Sequence, residues 1–152
     1  MTDTAHDQAQ AQYESIVSML ETLDMDWTRL EDLRSFDPED MTPEDVRELA
    51  HLEALADGCE DYDSAEQRIQ EDPLEITVRS DWTALGQTLE ASEFCILLCT
   101  GGPAVRIVGE LDRGQPVRAW IEYQDWGTPW TQYFGADQDV LIRYASMFYF
   151  GE

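Results

Sequence analysis

The spacing of apolar residues changes at Pro73, and this change limits the fold more than any other feature of the chain. Before Pro73, apolar residues recur at steps of three and four, which is typical of amphipathic helices. After it, they alternate with polar residues in short runs separated by turn-forming residues, which is typical of β-strands. The pattern predicts one α+β domain over residues 1–152, with a helical part (1–72) and a sheet-rich part (73–152).

Start signals place the helices of the first part. Thr42 is a good N-cap and Pro43 suits the first helical position. Asp63 and Glu66 have the spacing of a capping box. The predicted helices are about 8–35, 43–57 and 64–70. The apolar stripe expected for the second helix is Val46, Leu49, Ala50 and Leu55.

Short turns in the second part predict an antiparallel sheet. Thr100–Pro103 and Asp112–Gln115 separate successive alternating runs, and such short connections join antiparallel neighbours. The sheet is expected to have four strands, followed by a helix at the C-terminal end. The strands are predicted at about 75–82, 93–99, 104–111 and 116–123, and the helix at about 138–147.

No metal or cofactor site is expected. The chain has three cysteines, Cys59, Cys95 and Cys99; both histidines lie far from any cysteine pair, and no zinc-ligand spacing occurs. Cys95 and Cys99 are four apart in a predicted strand and are expected to share a face about 13 Å apart, too far for a disulfide. The acids between Asp57 and Asp63 do not have the spacing of a calcium-binding loop.

The charge of the chain is large and unevenly distributed. It has 33 Asp and Glu against nine Arg and no Lys, a net charge of −24. Residues 1–72 hold 22 of these acids and residues 73–152 hold 11. Such a surface repels nucleic acid and anionic lipid, so direct binding to either is not expected. Three explanations stay open: imitation of a nucleic acid, docking to one basic protein, and adaptation to a salty cytoplasm.

Imitation of DNA has a geometric requirement that acidic helices can meet. Duplex DNA carries about one phosphate per 1.7 Å of axis. Acids three or four apart on a helix stand about 5–6 Å apart on one face. Adaptation to salt would spread acids over the whole chain, whereas here they concentrate in the first half. The predicted partner-binding acids are Glu21, Asp24, Glu31, Asp32, Glu39, Asp40, Glu44, Asp45, Glu48, Glu60, Asp61 and Asp63.

Six of the 15 residues from Trp120 to Phe134 are aromatic. They cannot all point to one side of a single extended strand. One interpretation is a loop that folds back and closes the end of the core. The other is an exposed docking platform, because Trp and Tyr dominate binding energy at protein interfaces. The candidate docking residues are Tyr123, Asp125, Trp126 and Trp130.

No catalytic signature is present. The run Gly101–Pro103 lacks the lysine of a phosphate-binding loop, and no serine lies in a nucleophile elbow. We therefore expect a protein that is not an enzyme. Residues 1–7 are acidic and polar, unlike a signal peptide, and no run reaches the about 20 apolar residues that span a bilayer. A cytoplasmic protein that does not bind membranes is expected.

Three segments resemble a widespread family of small acidic proteins carried by bacteriophages, plasmids and integrated elements of proteobacteria. They are Leu98–Ile107 (LCTGGPAVRI), Glu122–Trp130 (EYQDWGTPW) and Phe148–Glu152 (FYFGE), and the resemblance extends over about 71–152. It implies an accessory protein of a mobile element, with an anti-defence role of the anti-CRISPR or antirestriction kind. It supplies no catalytic residues.

Charge and resemblance together favour a non-enzymatic inhibitor that occupies the basic groove of a nucleic-acid-binding host defence protein. The alternative is an acidic adaptor, or immunity-type protein, that masks one protein partner through the aromatic loop. Neither the target nor the oligomeric state follows from the sequence.

Overall fold

The computed structural model describes residues 4–150 and confirms the α+β class. Its five antiparallel strands follow chain order across the sheet, β1-β2-β3-β4-β5. The helices are α1 (Thr4–Asp24), α2 (Trp27–Ser35), α3 (Pro43–Ala56), α4 (Tyr62–Glu71) and α5 (Gln138–Ala145), with a 3-10 turn at Pro38–Asp40. The strands are β1 (Glu75–Ser80), β2 (Ala91–Cys99), β3 (Ala104–Asp112), β4 (Gln115–Gln124) and β5 (Thr131–Tyr133).

The predicted helix over 8–35 is wrong in its extent, because the chain forms two helices there. Asp26 interrupts the helix: its carboxylate accepts a 2.9 Å hydrogen bond from the backbone N–H of Arg29 and so caps α2. A short acidic side chain that bonds its own backbone competes with helix continuation. The apolar periodicity continues across Asp26, so the periodicity could not predict the break.

The predicted N-terminal cap is confirmed for α3 and wrong for α4. Thr42 caps α3 in a complete capping box, with Asp45 as the reciprocal partner, as Thr42 was expected to do. The capping box predicted for Asp63 and Glu66 is wrong. Asp61 fills that place, accepting 2.8 Å bonds from the backbone N–H and the hydroxyl of Ser64, and α4 begins at Tyr62.

The apolar stripe of α3 is shifted from the expected one. Leu52 and Ala56 are buried with Leu30 and Leu33 of α2, and Leu49 and Leu55 pack beside them. Val46, which was expected inside, is 52% exposed. Ala50, also expected in the stripe, is exposed as well, so the inward face of α3 is displaced from the predicted one.

The sheet has one strand more than predicted, because the aromatic segment itself contributes β5, which pairs with β4. Three isoleucines in register form the centre of the core: Ile96, Ile107 and Ile121 are each fully buried. Partners in register share a face, so these residues define a covered face of the sheet. The opposite, open face carries Arg106, Trp120 and other half-buried side chains.

The two cysteines of β2 do not share a face, and that prediction is wrong. A register shift between Leu97 and Cys99 turns Cys99 toward the covered face, opposite Val105. Cys95 lies opposite Val108 on the open face. Burial raises the pKa of both thiols, which keeps them protonated and unreactive.

The C-terminal helix α5 packs against β4. Its Tyr144 is fully buried and donates a 2.7 Å hydrogen bond from its hydroxyl to the carboxylate of Asp72. Burial raises the pKa of Tyr144 well above its usual range. At its start, the N–H of Asp137 donates to the hydroxyl of Tyr13 at 3.1 Å.

The chain divides into two compact units. The sheet unit contains described residues 4–17 and 69–150, and the helical unit is Ser18–Arg68. The helical unit thus ends close to the predicted boundary at 72, but the first part of α1 belongs to the sheet unit. That all 152 residues behave as one domain stays a prediction.

Candidate functional site

The helical unit concentrates the negative charge. It holds 17 Asp and Glu against four Arg, a net charge of −13 in 51 residues, whereas the remaining 101 residues carry −11. All of the partner-binding acids predicted from the sequence lie within this unit. The structure therefore places them on one compact body.

Two of those acids are engaged in pairing between helices. Arg29 of α2 reaches Glu48 of α3 through its Nε and lies 3.6 Å from the carboxylate of Asp45. Glu48 and Asp45 are half-buried as a result. These two carboxylates hold α2 and α3 together, so they contribute little to an exposed row of charge.

Two further arginines fix other acids. Arg34 forms a bidentate pair with Glu53 at 2.9 and 3.0 Å and donates to the backbone oxygen of Glu60 at 2.8 Å. These hydrogen bonds from Arg34 hold the pKa of Glu53 below its usual range. Arg68 lies 3.3 Å from the carboxylate of Asp57 and donates to its backbone oxygen at 2.8 Å. Three of the four arginines of the unit thus pair with acids of the same unit, and two of those acids, Glu53 and Asp57, lie outside the predicted set.

The other predicted acids are exposed and belong to well-formed local structure. In the 3-10 turn, Asp37 accepts a hydrogen bond from the N–H of Glu39, which fixes this turn. Hydrogen bonds from Ser64 hold the pKa of Asp61 below its usual range. Whether the exposed carboxylates form one continuous face stays a prediction. They are Glu21, Asp24, Glu31, Asp32, Glu39, Asp40, Glu44, Glu60, Asp61 and Asp63.

A second candidate site lies at one end of the sheet, where the segments Leu98–Ile107 and Glu122–Trp130 meet. The turn between β2 and β3 and the connection between β4 and β5 lie side by side, because Ala104 pairs with Gln124. The indole of Trp126 rests on Gly102 so closely that a Cβ there would lie 1.9 Å from the ring. Trp126 is nevertheless 82% exposed. Gly102 thus supports an exposed tryptophan.

The neighbouring Trp130 has a different environment. The guanidinium of Arg106 lies 3.9 Å from its ring centroid and donates to Glu122 at 2.7 and 2.9 Å. The indole N–H of Trp120 donates to the other oxygen of Glu122 at 3.2 Å. All of these side chains are half-buried. Trp130 therefore belongs to a packed cation–π and hydrogen-bond network.

Of the two remaining docking candidates, one is half-buried and the other is exposed. Tyr123 is half-buried, with the ring of His6 at 5.7 Å. Asp125 is exposed and forms the turn, because its N–H bonds the Thr128 hydroxyl at 2.8 Å and its carbonyl accepts from the Thr128 N–H. Of the four candidates, only Asp125 and Trp126 offer exposed surface. The aromatic segment therefore combines a packed part with an exposed tip, so each sequence interpretation describes one part of it.

Sequence reasoning missed the chemistry of the open sheet face. Cross-strand pairs of opposite charge join Arg79 with Glu93, Arg106 with Glu122, and Arg118 with Glu110. The first two of these pairs, Arg79 with Glu93 and Arg106 with Glu122, line a groove of about 360 Å³. Each of these residues occupies a polar position of an alternating strand, and this pattern was the available signal.

The structure has no metal or membrane feature in its described part. Across residues 4–150, no three His, Cys, Asp or Glu side chains group in a way that would hold a metal ion. Within the same range, no helix has the length and hydrophobicity that a membrane crossing requires.

Fold and surfaces together define an α+β protein with a strongly acidic helical unit and an antiparallel sheet. Comparisons with protein-family models, with curated proteins and with solved structures find no match to this chain.

Proposed function

We propose that this protein is a cytoplasmic, non-enzymatic inhibitor that binds a basic nucleic-acid-binding protein through its helical unit and so excludes DNA. The observation that carries the proposal is the charge of that unit, −13 in 51 residues. Three of its four arginines are already held in internal ion pairs. Each of these pairs takes up an acid together with an arginine, so the net charge of the unit remains −13.

The geometry of the unit supports this proposal in a second way. Glu31 and Asp32 lie on the side of α2 away from the buried Leu30 and Leu33, and Glu44 lies in the first turn of α3. Carboxylates carried by capped, packed helices do not have to be ordered upon binding, which lowers the entropic cost of association. A fixed array of anions at helical spacing is the property that a DNA-binding groove recognises.

The target class follows from the resemblance to mobile-element proteins. Bacteriophages, plasmids and integrated elements encounter host nucleases and effector complexes that bind DNA through basic grooves. We therefore propose a defence protein of the restriction or CRISPR type as the target.

One observation favours an alternative, which is an adaptor that masks a single partner through the aromatic tip. Trp126 is 82% exposed, yet Gly102 and the Asp125–Thr128 turn hold it in place. A fixed, exposed tryptophan is typical of a binding hot spot.

The test measures protection of a phage from a defined restriction or CRISPR system in cells that express the protein. The decisive variant carries Glu31→Gln, Asp32→Asn and Glu44→Gln. Its matched control carries Asp81→Asn, Glu90→Gln and Asp112→Asn, which remove the same charge from exposed sites of the sheet unit. We expect the first variant to lose protection and bind the purified target at least tenfold more weakly. The control should keep both properties.

Salt and stoichiometry separate the mechanisms. Binding by the helical unit should weaken steeply with salt, and duplex DNA should compete. Inhibition should titrate near one protein per binding site. Salt-insensitive binding that Trp126→Ala abolishes would support the adaptor instead. Inhibition that persists at trace amounts, after the protein is removed, would contradict both and indicate an enzyme.

A further inference from the structure

Strand β1 has an unpaired edge. Within the described chain it pairs only with β2, at one end of the sheet order. An edge presents free backbone N–H and C=O groups, which can pair with another strand unless charged side chains, proline, a bulge or a covering segment prevents it. Glu75–Arg79 contains no proline or lysine, and the register is regular until Arg79. Thr77, Val78 and Arg79 are exposed, so this edge is open to strand addition.

The sequence of this edge is complementary to itself. If two copies pair antiparallel with Thr77 opposite Thr77, Glu75 of one copy lies opposite Arg79 of the other. Ile76 then lies opposite Val78. A two-fold axis makes each pair occur twice, which is the property of an isologous interface. We propose that this protein forms a homodimer by pairing the β1 edges of two copies into one continuous antiparallel sheet.

In this register the charged pairs lie on the open face of the sheet and the apolar pairs lie on the covered face. Thr77 and Arg79 are in register with Cys95 and Glu93, which places the charged pairs on the open face. Ile76 and Val78 are in register with the buried Ile96 and Phe94, which places the apolar pairs on the covered face. Arg79 already bonds Glu93. Because a guanidinium has five N–H donors, it can also bond Glu75 of the second copy.

Exposed apolar side chains flank the same edge. Leu74 is 60% exposed, Val78 is 46% exposed, and Trp82 and Leu85 have full solvent exposure. In the proposed register, Trp82 of one copy lies beside the segment around Pro73 of the other. A soluble monomer seldom leaves such a group of large apolar side chains in water. Pairing of the edges would cover part of it.

The charge of the chain predicts a weak dimer. Two copies at −24 each repel one another. At about 0.15 M salt the Debye length is about 8 Å, so distant charges are screened while the Glu–Arg pairs in contact keep most of their attraction. The paired edge is short, and small interfaces are typically weak. We expect a dissociation constant in roughly the micromolar range, which is weaker than that of a dimer with a large, stable interface.

The experiment is sedimentation velocity on the full chain over a concentration series. Glu75→Arg and Arg79→Glu should each raise the dimer dissociation constant at least tenfold, because each places two like-charge pairs across the two-fold axis. An equal mixture of these two variants should associate again, as heterodimers in which every cross-strand pair is of opposite charge. Arg118→Glu is the control, because it breaks the pair with Glu110 on strands that are not at this edge.

The mixture distinguishes a lost interface from a lost fold, because two misfolded variants would not restore association. A protein that stays monomeric over the whole series would overturn the proposal. A dimer that neither variant weakens, or a mixture that stays monomeric while both variants keep the circular dichroism of the unaltered chain, would overturn it as well.

Discussion

The sheet unit and the helical unit handle charge in opposite ways. On the open face of the sheet, each arginine named above has a glutamate across the strand, as Arg106 has Glu122 at 2.7 Å. In the helical unit, acids outnumber arginines 17 to four, and the arginines connect helices. The sheet can therefore balance its charge locally. The helical unit keeps an excess that its internal pairs do not remove.

The units also differ in how they are held together. The sheet unit has a continuous row of fully buried side chains in Ile96, Ile107 and Ile121. The hydrophobic cluster shared by α2 and α3 has Leu30, Leu33, Leu52 and Ala56 as buried members, and the helical unit also buries Leu20, Leu23 and Ala65. It depends in addition on caps and on ion pairs between helices. Repulsion among many acids opposes the compact form of the helical unit, so the acidic surface has a stability cost that a binding role would explain.

The largest expected effect compares the two cores. Ile107→Ala should lower the free energy of unfolding by about 4–5 kcal/mol, because the surrounding strands cannot collapse onto the cavity. Leu30→Ala in the smaller cluster should cost only about 2–3 kcal/mol, since helices can shift more easily. Urea denaturation measures both. Val117→Ala, at a half-exposed site, is the control, and equal losses for the two core variants would remove the distinction.

The next effect separates the two tryptophans of the aromatic segment. Trp130→Ala should destabilise the protein by about 2 kcal/mol, because it removes the surface on which Arg106 rests. Trp126→Ala should change stability by less than about 0.5 kcal/mol, since that ring is 82% exposed. Thermal unfolding of the two variants checks this order. A large loss for Trp126→Ala would make the tip part of the core and remove the basis of the adaptor alternative.

Salt should act mainly on the helical unit. Raising the salt concentration screens the repulsion among its acids, and we expect a stabilisation of about 1 kcal/mol there. The paired charges of the sheet face should gain little. Hydrogen exchange resolved by segment measures both units in one sample, with strands β2 to β4 as the internal control. If added salt increases the hydrogen-exchange protection of helices and strands equally, the claim that repulsion acts mainly in the helical unit would be wrong.

The smallest effect concerns one ion pair and its dependence on pH. Arg34 depresses the pKa of Glu53, so the pair stabilises the folded state above the ordinary pKa of a glutamate, about 4.3. This contribution disappears as the pH falls through the folded pKa. Glu53→Gln should therefore cost about 0.3–0.5 kcal/mol at pH 7, the value of an exposed pair, and less at pH 3. A cost that is the same at both pH values would show that the side chain acts through packing.

Local signals predicted the elements well and their ends less well. Thr42 and Pro43 identified the start of α3. Alternation identified three strands, and a continuous apolar run identified the fourth, all within a few residues of their bounds. The break at Asp26 was missed, because an Asp inside an apolar periodicity is a cap only when the backbone actually turns there. The shift at Cys99 was missed for a related reason: a bulge leaves no mark in an apolar run.

The candidate sites were predictable in composition but not in arrangement. Charge counting located the acids correctly in one region of the chain. It could not foresee that Asp45 and Glu48 pair with Arg29 across two helices. Nor could the sequence predict that Trp126 is exposed while Trp130 is packed, since both are tryptophans with similar neighbours in the chain. Their difference depends on Gly102 in the β2–β3 turn and on Arg106 in strand β3.

The sequence by itself determined the class of the fold, the helical and sheet regions, and the place where negative charge accumulates. These follow from periodicity and from charge, which are properties of neighbouring residues. Only the tertiary structure decided which carboxylates are neutralised, which tryptophan stays in water, and which strand edge is left open. Each of these depends on residues distant in the chain, because burial and pairing are set by what the folded backbone places within a few ångströms.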